Sequence, residues 1–171
     1  MTNHIVLMGV SGSGKTTVAA MLAERLGYAF GEADEFHPQA NVDKMAAGIP
    51  LTDEDRWPWL ADLAGWMRDA QAAGRSTVLA CSALKRSYRD VLNGGPVGGC
   101  VYVHLDGEAG LIERRMAARS HFMPLALLAS QIETLEALAD DEPGIVLDLD
   151  NTPEHLVDEA LAFLADRGVN L

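Results

Sequence analysis

The sequence predicts an α/β domain, a parallel sheet covered by helices on both faces. Three observations carry this prediction. Strand-like apolar runs alternate with helix-length segments along the whole chain. A glycine-rich loop separates the first run from the first helix. The 171 residues, 49% of them apolar, suffice for one ordinary domain with a buried core.

The elements follow in order. Residues 5–8 read as a strand, 16–26 as a helix and 28–30 as a second strand. Residues 52–73 read as a helix, opened by Thr52 with Asp53 and Glu54 in its first turn. A strand at 77–81 and a helix at 84–92 precede the loop at 93–99, which holds four glycines and Pro96. A strand at 100–105 leads to helices at 108–118 and 125–138. The last strand is expected at 145–149 and the last helix at 153–165, behind Thr152 with Pro153. No repeat or low-complexity linker interrupts residues 1–171, so a single domain is expected. Ligands of such sheets bind beyond the carboxyl ends of the strands.

The balance of charge narrows the partners. Thirteen Lys and Arg against twenty-five Asp and Glu give −12, which argues against nucleic acid or an anionic membrane. No run of about 18 apolar residues offers a membrane span. The first residues lack the early positive charge and small-residue cleavage site of a signal peptide, so a cytoplasmic protein is expected. Cys81 and Cys100 are too few and too far apart for a zinc framework and read as buried thiols.

The loop carries the chemistry. Gly9-Val10-Ser11-Gly12-Ser13-Gly14-Lys15-Thr16 matches GxxxxGK[ST], between a strand and a helix. Its glycines let the backbone turn and aim N–H groups at phosphates, and the helix N-terminus adds partial positive charge. Lys15 reaches the β and γ phosphates, and the Thr16 hydroxyl coordinates Mg²⁺. Thr17 completes the nucleotide set of Gly9, Ser11, Gly12, Ser13, Gly14, Lys15 and Thr16. No guanine-reading Asn-Lys-x-Asp is present. A short chain with this loop at its start looks like a small-molecule kinase. Such enzymes use an Arg-rich lid, here about 114–124 with Arg115 and Arg119, to stabilise charge on the transferring phosphoryl. Past the second strand, Asp34 is placed to accept the acceptor hydroxyl's proton or to orient that hydroxyl, and Glu32 to hold a Mg²⁺-bound water.

Three further stretches carry a resemblance: 33–60, from Ala33-Asp34 through His37, Asn41, Lys44 and Arg56 to Leu60; 80–90, including Lys85, Tyr88 and Arg89; and 121–136, ending in Ser130-Gln131 and Leu135-Glu136. In these the sequence resembles the gluconate kinases of the small P-loop type, relatives of shikimate and adenylate kinases. The resemblance implies phosphorylation of D-gluconate to 6-phosphogluconate by ATP, a P-loop fold with a five-stranded parallel sheet and a lid, and often a homodimer. It places Asp34, His37, Asn41 and Lys44 along the sugar-acid pocket. It makes Arg56, Lys85 and Arg89 candidates for the substrate carboxylate or the transferring phosphate. Such a mixture of cations and hydrogen-bonding groups suits a linear polyol bearing one carboxylate. Glu32 stands where related kinases often carry Asp, and residues near 150–153 are expected beside the base. Two other readings remain: a kinase of another small hydroxy or sugar acid, or a non-catalytic nucleotide-binding protein.

Overall fold

The computed structural model describes residues 1–118, 125–169 and 171. Its centre is a five-stranded, all-parallel sheet in the order β2-β3-β1-β4-β5. The strands are β1 His4–Met8, β2 Ala29–Glu32, β3 Thr77–Ala80, β4 Val101–Asp106 and β5 Gly144–Asp148. Every residue of β1 and β3 is buried, as expected of continuous apolar runs covered on both faces.

The helices are α1 Lys15–Leu26, α2 Gln39–Ala46, α3 Asp53–Ala72, α4 Arg86–Asn93, α5 Ala109–Ala117, α6 Leu125–Thr134 and α7 Pro153–Asp166. α1 packs beside α7, and α3 beside α4. Right-handed crossovers put helices leading towards β2 and helices leading away from it on opposite faces. The chain leaves β1 towards β2 but leaves β3 towards β4, crossing over β1. The carboxyl ends of β1 and β3 therefore open a crevice where the connections diverge. Gly9 ties the two sides together, its N–H donating to the Ser82 carbonyl at 3.3 Å.

Several boundaries differ from the sequence reading. Between β2 and α3 the chain makes a 3-10 turn, Ala33–Phe36, and then α2. The buried residues of α2 are Asn41 and Met45, so no apolar stripe announces it. α4 starts two residues late because Ala83 takes a left-handed φ of 47° and the Leu84 carbonyl accepts the Glu136 N–H at 2.7 Å. That bond also draws the chain away after Thr134, where the sequence predicted helix to 138. Cys81 and Cys100 are buried free thiols, as expected.

Candidate active site

The phosphate loop links β1 to α1. Gly12 and Gly14 hold φ values of 80° and 93°, open to glycine at little cost. Gly9, at φ 146°, lies so close to its neighbours that a Cβ there would meet the Leu105 carbonyl oxygen at 2.7 Å. Helical bonding in α1 begins at Val18 N–H to Gly14 O, 3.2 Å. The N–H groups of Lys15, Thr16 and Thr17 precede it and face the loop as free donors of a helix start. Ser13 serves the shape of the loop: its N–H donates to the Val10 carbonyl at 3.2 Å and its hydroxyl is buried against Gly9. The Ser11 N–H is held by Gln131 Oε1 of α6 at 2.7 Å, a contact the sequence did not signal.

Lys15 Nζ donates to the Val10 carbonyl at 3.0 Å. Burial pulls its pKa down, and the carboxylates of Asp34 and Glu32 oppose that pull. Glu32, the last residue of β2, accepts the Thr16 hydroxyl at 2.5 Å and the Asp34 N–H at 3.2 Å. Burial raises the Glu32 pKa, with Asp34 adding to the rise and the Thr16 bond countering it. Hydroxyl and carboxylate oxygens side by side form a hard donor set, which suits Mg²⁺ sharing its shell with water and phosphate.

A cleft joins this loop to the 3-10 turn, α3 and α6. Lys15, Glu32, Asp34, His37 and Arg56 line it together with Ser11, Ser82, Ser130 and Gln131. Met45, Leu51 and Leu127 form a small apolar cluster on its far wall. The His37 ring stacks on Trp59, centroids 4.1 Å apart, and Trp59 is fixed by its indole N–H donating to the Ala33 carbonyl at 2.7 Å. The Asn41 amide donates to His37 Nδ1 at 3.2 Å, which leaves the ring proton on Nε2. Burial lowers the His37 pKa to about 4, so the ring is neutral at pH 7.

Four residues expected in the pocket stand behind its wall. Asn41 is buried and also donates to the Asp55 carbonyl at 2.9 Å. Lys44 pairs with Asp55 at 2.8 Å, holding that carboxyl down at about 2. Lys85 pairs with Asp53 at 3.3 Å. Arg89 is a correction: it is fully buried and spends all five N–H donors within the protein. Its Nε and Nη2 meet Glu142 at 2.6 and 3.0 Å, and the rest take the carbonyls of Ala83, Leu84, Glu136 and Ala137. No donor remains for a substrate, so Arg89 shapes the loop after β3.

A second cleft lies across the phosphate loop. Gly12, Gly14 and Thr17 line it with Arg115 of α5 and with Asn151 and Pro153 after β5. It thus gathers one expected lid arginine and the segment expected beside the base. Arg119 and the rest of the expected lid, residues 119–124, lie outside the described residues. Among the described residues no cluster of three or more His, Cys, Asp or Glu could hold a metal alone, and no helix is long and apolar enough to cross a membrane.

A phosphate loop at the divergence of a parallel sheet, with one polar cleft running from its lysine and another across its glycines, defines a P-loop nucleotide-binding domain of the kinase type. A family model described as an AAA domain matches residues 5–140. The gluconokinase of Gluconobacter oxydans is 50% identical over 92% of this chain and 88% of its own. The structure of a Janibacter sugar kinase superposes with a TM-score of 0.93 at 57% identity, covering 96% of this chain and 95% of its own. That of a Sinorhizobium meliloti gluconokinase gives 0.87 at 46% identity, covering 96% and 93%. The chain belongs to the gluconokinase family.

Proposed function

We propose that this protein transfers the γ-phosphoryl group of ATP to the 6-hydroxyl of D-gluconate, with Mg²⁺, giving 6-phosphogluconate and ADP. The observation that carries the reading is the single cleft in which Lys15 of the phosphate loop shares walls with Asp34, His37 and Arg56. Phosphoryl transfer needs donor and acceptor held in line with little other chemistry. The names of its relatives support gluconate as the acceptor.

The roles follow from position. The N–H groups of the loop and of the first turn of α1 hold the phosphates, and Lys15 sits against the γ-phosphoryl oxygens. Thr16, directly, and Glu32, through water, would hold Mg²⁺, which when bound supplies charge neutralisation across the β and γ phosphates. Asp34 takes the hydroxyl proton as the new oxygen–phosphorus bond forms and the bond to the ADP oxygen breaks. Arg56 faces the acceptor carboxylate, and the neutral His37 offers Nε2–H to a hydroxyl. Arg115 lines the cleft across the phosphate loop, and it and Arg119 are assigned the lid's role of stabilising charge on the transferring phosphoryl. The net charge of −12 works against nucleic acid and also against small anions, so ATP and gluconate depend on the cations gathered at the clefts. A cytoplasmic location fits the gluconokinase reading.

The test is ADP release from Mg·ATP with D-gluconate, beside shikimate, glucose, glucuronate and no acceptor. Strong turnover with gluconate alone is expected. Equal or better turnover of another acid sinks the acceptor assignment, and ATP binding without acceptor-dependent ADP release sinks the kinase reading.

A further inference from the structure

The first turn of α3 holds an arrangement that reaches the cleft from behind. Arg56 lines the cleft, yet its Nη1 also donates to the Tyr88 hydroxyl of α4 at 2.7 Å. Having accepted that bond, the hydroxyl gives its own proton to Asp53 Oδ1 at 2.5 Å. Asp53 lies three residues before Arg56, and its carboxylate is also held by Lys85 Nζ, 3.3 Å from Oδ1 and 3.4 Å from Oδ2. The Tyr88 ring is 1% exposed and meets Trp57 edge-on, with centroids 5.6 Å apart. The Arg56 guanidinium lies 5.2 Å from the ring's centre. Tyr88 itself is absent from the cleft lining.

We propose that Tyr88, oriented by Asp53, is a positioning residue that fixes Arg56 for the acceptor's carboxylate. This rests on the reading of Arg56 as an acceptor ligand. The direction of the chain supports it. An arginine side chain has many rotamers, and holding one costs conformational entropy that a ligand must otherwise supply on binding. A phenol hydroxyl has one proton. With Asp53 taking that proton, the oxygen can only accept, and the partner presented to it is Arg56. One face of the guanidinium fork is thereby fixed, which leaves the remaining N–H groups for a carboxylate. The ring carries the packing between α3 and α4 while the hydroxyl carries the orientation, so the two contributions separate experimentally.

Tyr88→Phe removes the hydroxyl and keeps the ring. In the full chain, with gluconate and Mg·ATP each varied, it is expected to raise the gluconate KM about fivefold, the worth of one hydrogen bond. The kcat and the ATP KM should stay within about twofold, since neither depends on the acceptor's ground-state anchor. In an Arg56→Ala background the same substitution should change nothing further. Asp53→Asn, which keeps the shape of the chain and weakens its pull, should raise the gluconate KM in the same sense, and serves if Tyr88→Phe does not fold. The relay is overturned, with the acceptor reading intact, if Arg56→Ala raises the gluconate KM but Tyr88→Phe and Asp53→Asn leave it unchanged. It is overturned likewise if Tyr88→Phe multiplies the KM of Arg56→Ala by its full factor. An unchanged gluconate KM in Arg56→Ala itself overturns both, and wild-type turnover of gluconate tells that failure from a failure of the kinase reading.

Discussion

Asp34 and Lys15 line the same cleft from different elements, and their substitutions should separate accordingly. Asp34→Asn keeps the size of the side chain but not its basicity. It should cut kcat by roughly a hundredfold or more, the usual worth of a general base, and leave the ATP KM nearly unchanged. Steady-state kinetics check this, and near-normal kcat would remove Asp34 as the base. His37 makes a prediction about pH. Its folded pKa of about 4 lies below the ordinary 6.5, so between those values the unfolded chain takes up a proton that the native ring refuses. Stability is therefore full above about pH 6.5 and falls as the pH drops towards 4. His4 and His104, also pushed down by burial, act in the same sense. Urea midpoints of His37→Gln against pH should show a shallower acid slope than wild type, not a flat one. The nucleotide residues were legible in the sequence because a phosphate cradle imposes glycines, one lysine and one hydroxyl at fixed spacing. The acceptor residues were legible only as a set. Whether Lys44 or Arg56 meets a substrate depends on whether an acid such as Asp55 reaches it first, and such partners come from other elements. Tyr88 and Gln131 gave no individual signal for the same reason.

The stretch from 80 to 90 and the stretch from 130 to 142 turn out to be halves of one clamp. Glu136 donates its N–H to the Leu84 carbonyl and accepts the Arg86 N–H at 3.0 Å, so its side chain caps α4. Beneath them lies the Arg89–Glu142 pair, whose side chains are 0% and 5% exposed. Arg89 was read as a substrate ligand where it is a joint between elements, and the cause is physical. A buried arginine needs five acceptors, and those offered here are four carbonyls of irregular chain and one distant carboxylate, none with a sequence pattern. The same competition accounts for the misplaced ends of α4 and α6, whereas β1, β3, β4 and α1 matched expectation because continuous apolar runs and a glycine start decide them locally. Arg89→Met should cost about 3–5 kcal/mol, since it strands a buried carboxylate and several carbonyls. Combining it with Glu142→Leu should recover part of that loss, as removal of both charges does at other buried pairs. Urea unfolding of the three proteins measures both effects. A loss under about 1 kcal/mol for Arg89→Met would mean that water replaces the guanidinium at little cost.

The sheet order places the phosphate loop and the loop after β3 side by side, and so gathers cations that are scarce in the chain at large. The net charge is −12, yet Lys15, Arg56 and Arg115 face the two clefts. Both proposed substrates are anions, so salt should act on fold and function with opposite signs. Raising NaCl from about 0.05 to about 0.5 M shortens the screening length from roughly 14 to 4 Å. Over the whole surface this relieves repulsion among the excess carboxylates, and the melting temperature should rise by a few degrees. At the clefts it screens the attraction of the cations for phosphate and carboxylate, and the KM values for ATP and gluconate should rise together. Thermal melts and initial rates over the same salt series test the two halves independently. A melting temperature that falls with salt would show that favourable ion pairs such as Arg86–Asp141 outweigh the excess charge. KM values that fall with salt would show that the field of the whole molecule, and not the local cations, governs the approach of substrate, because only a net negative potential at the cleft mouth is improved by screening.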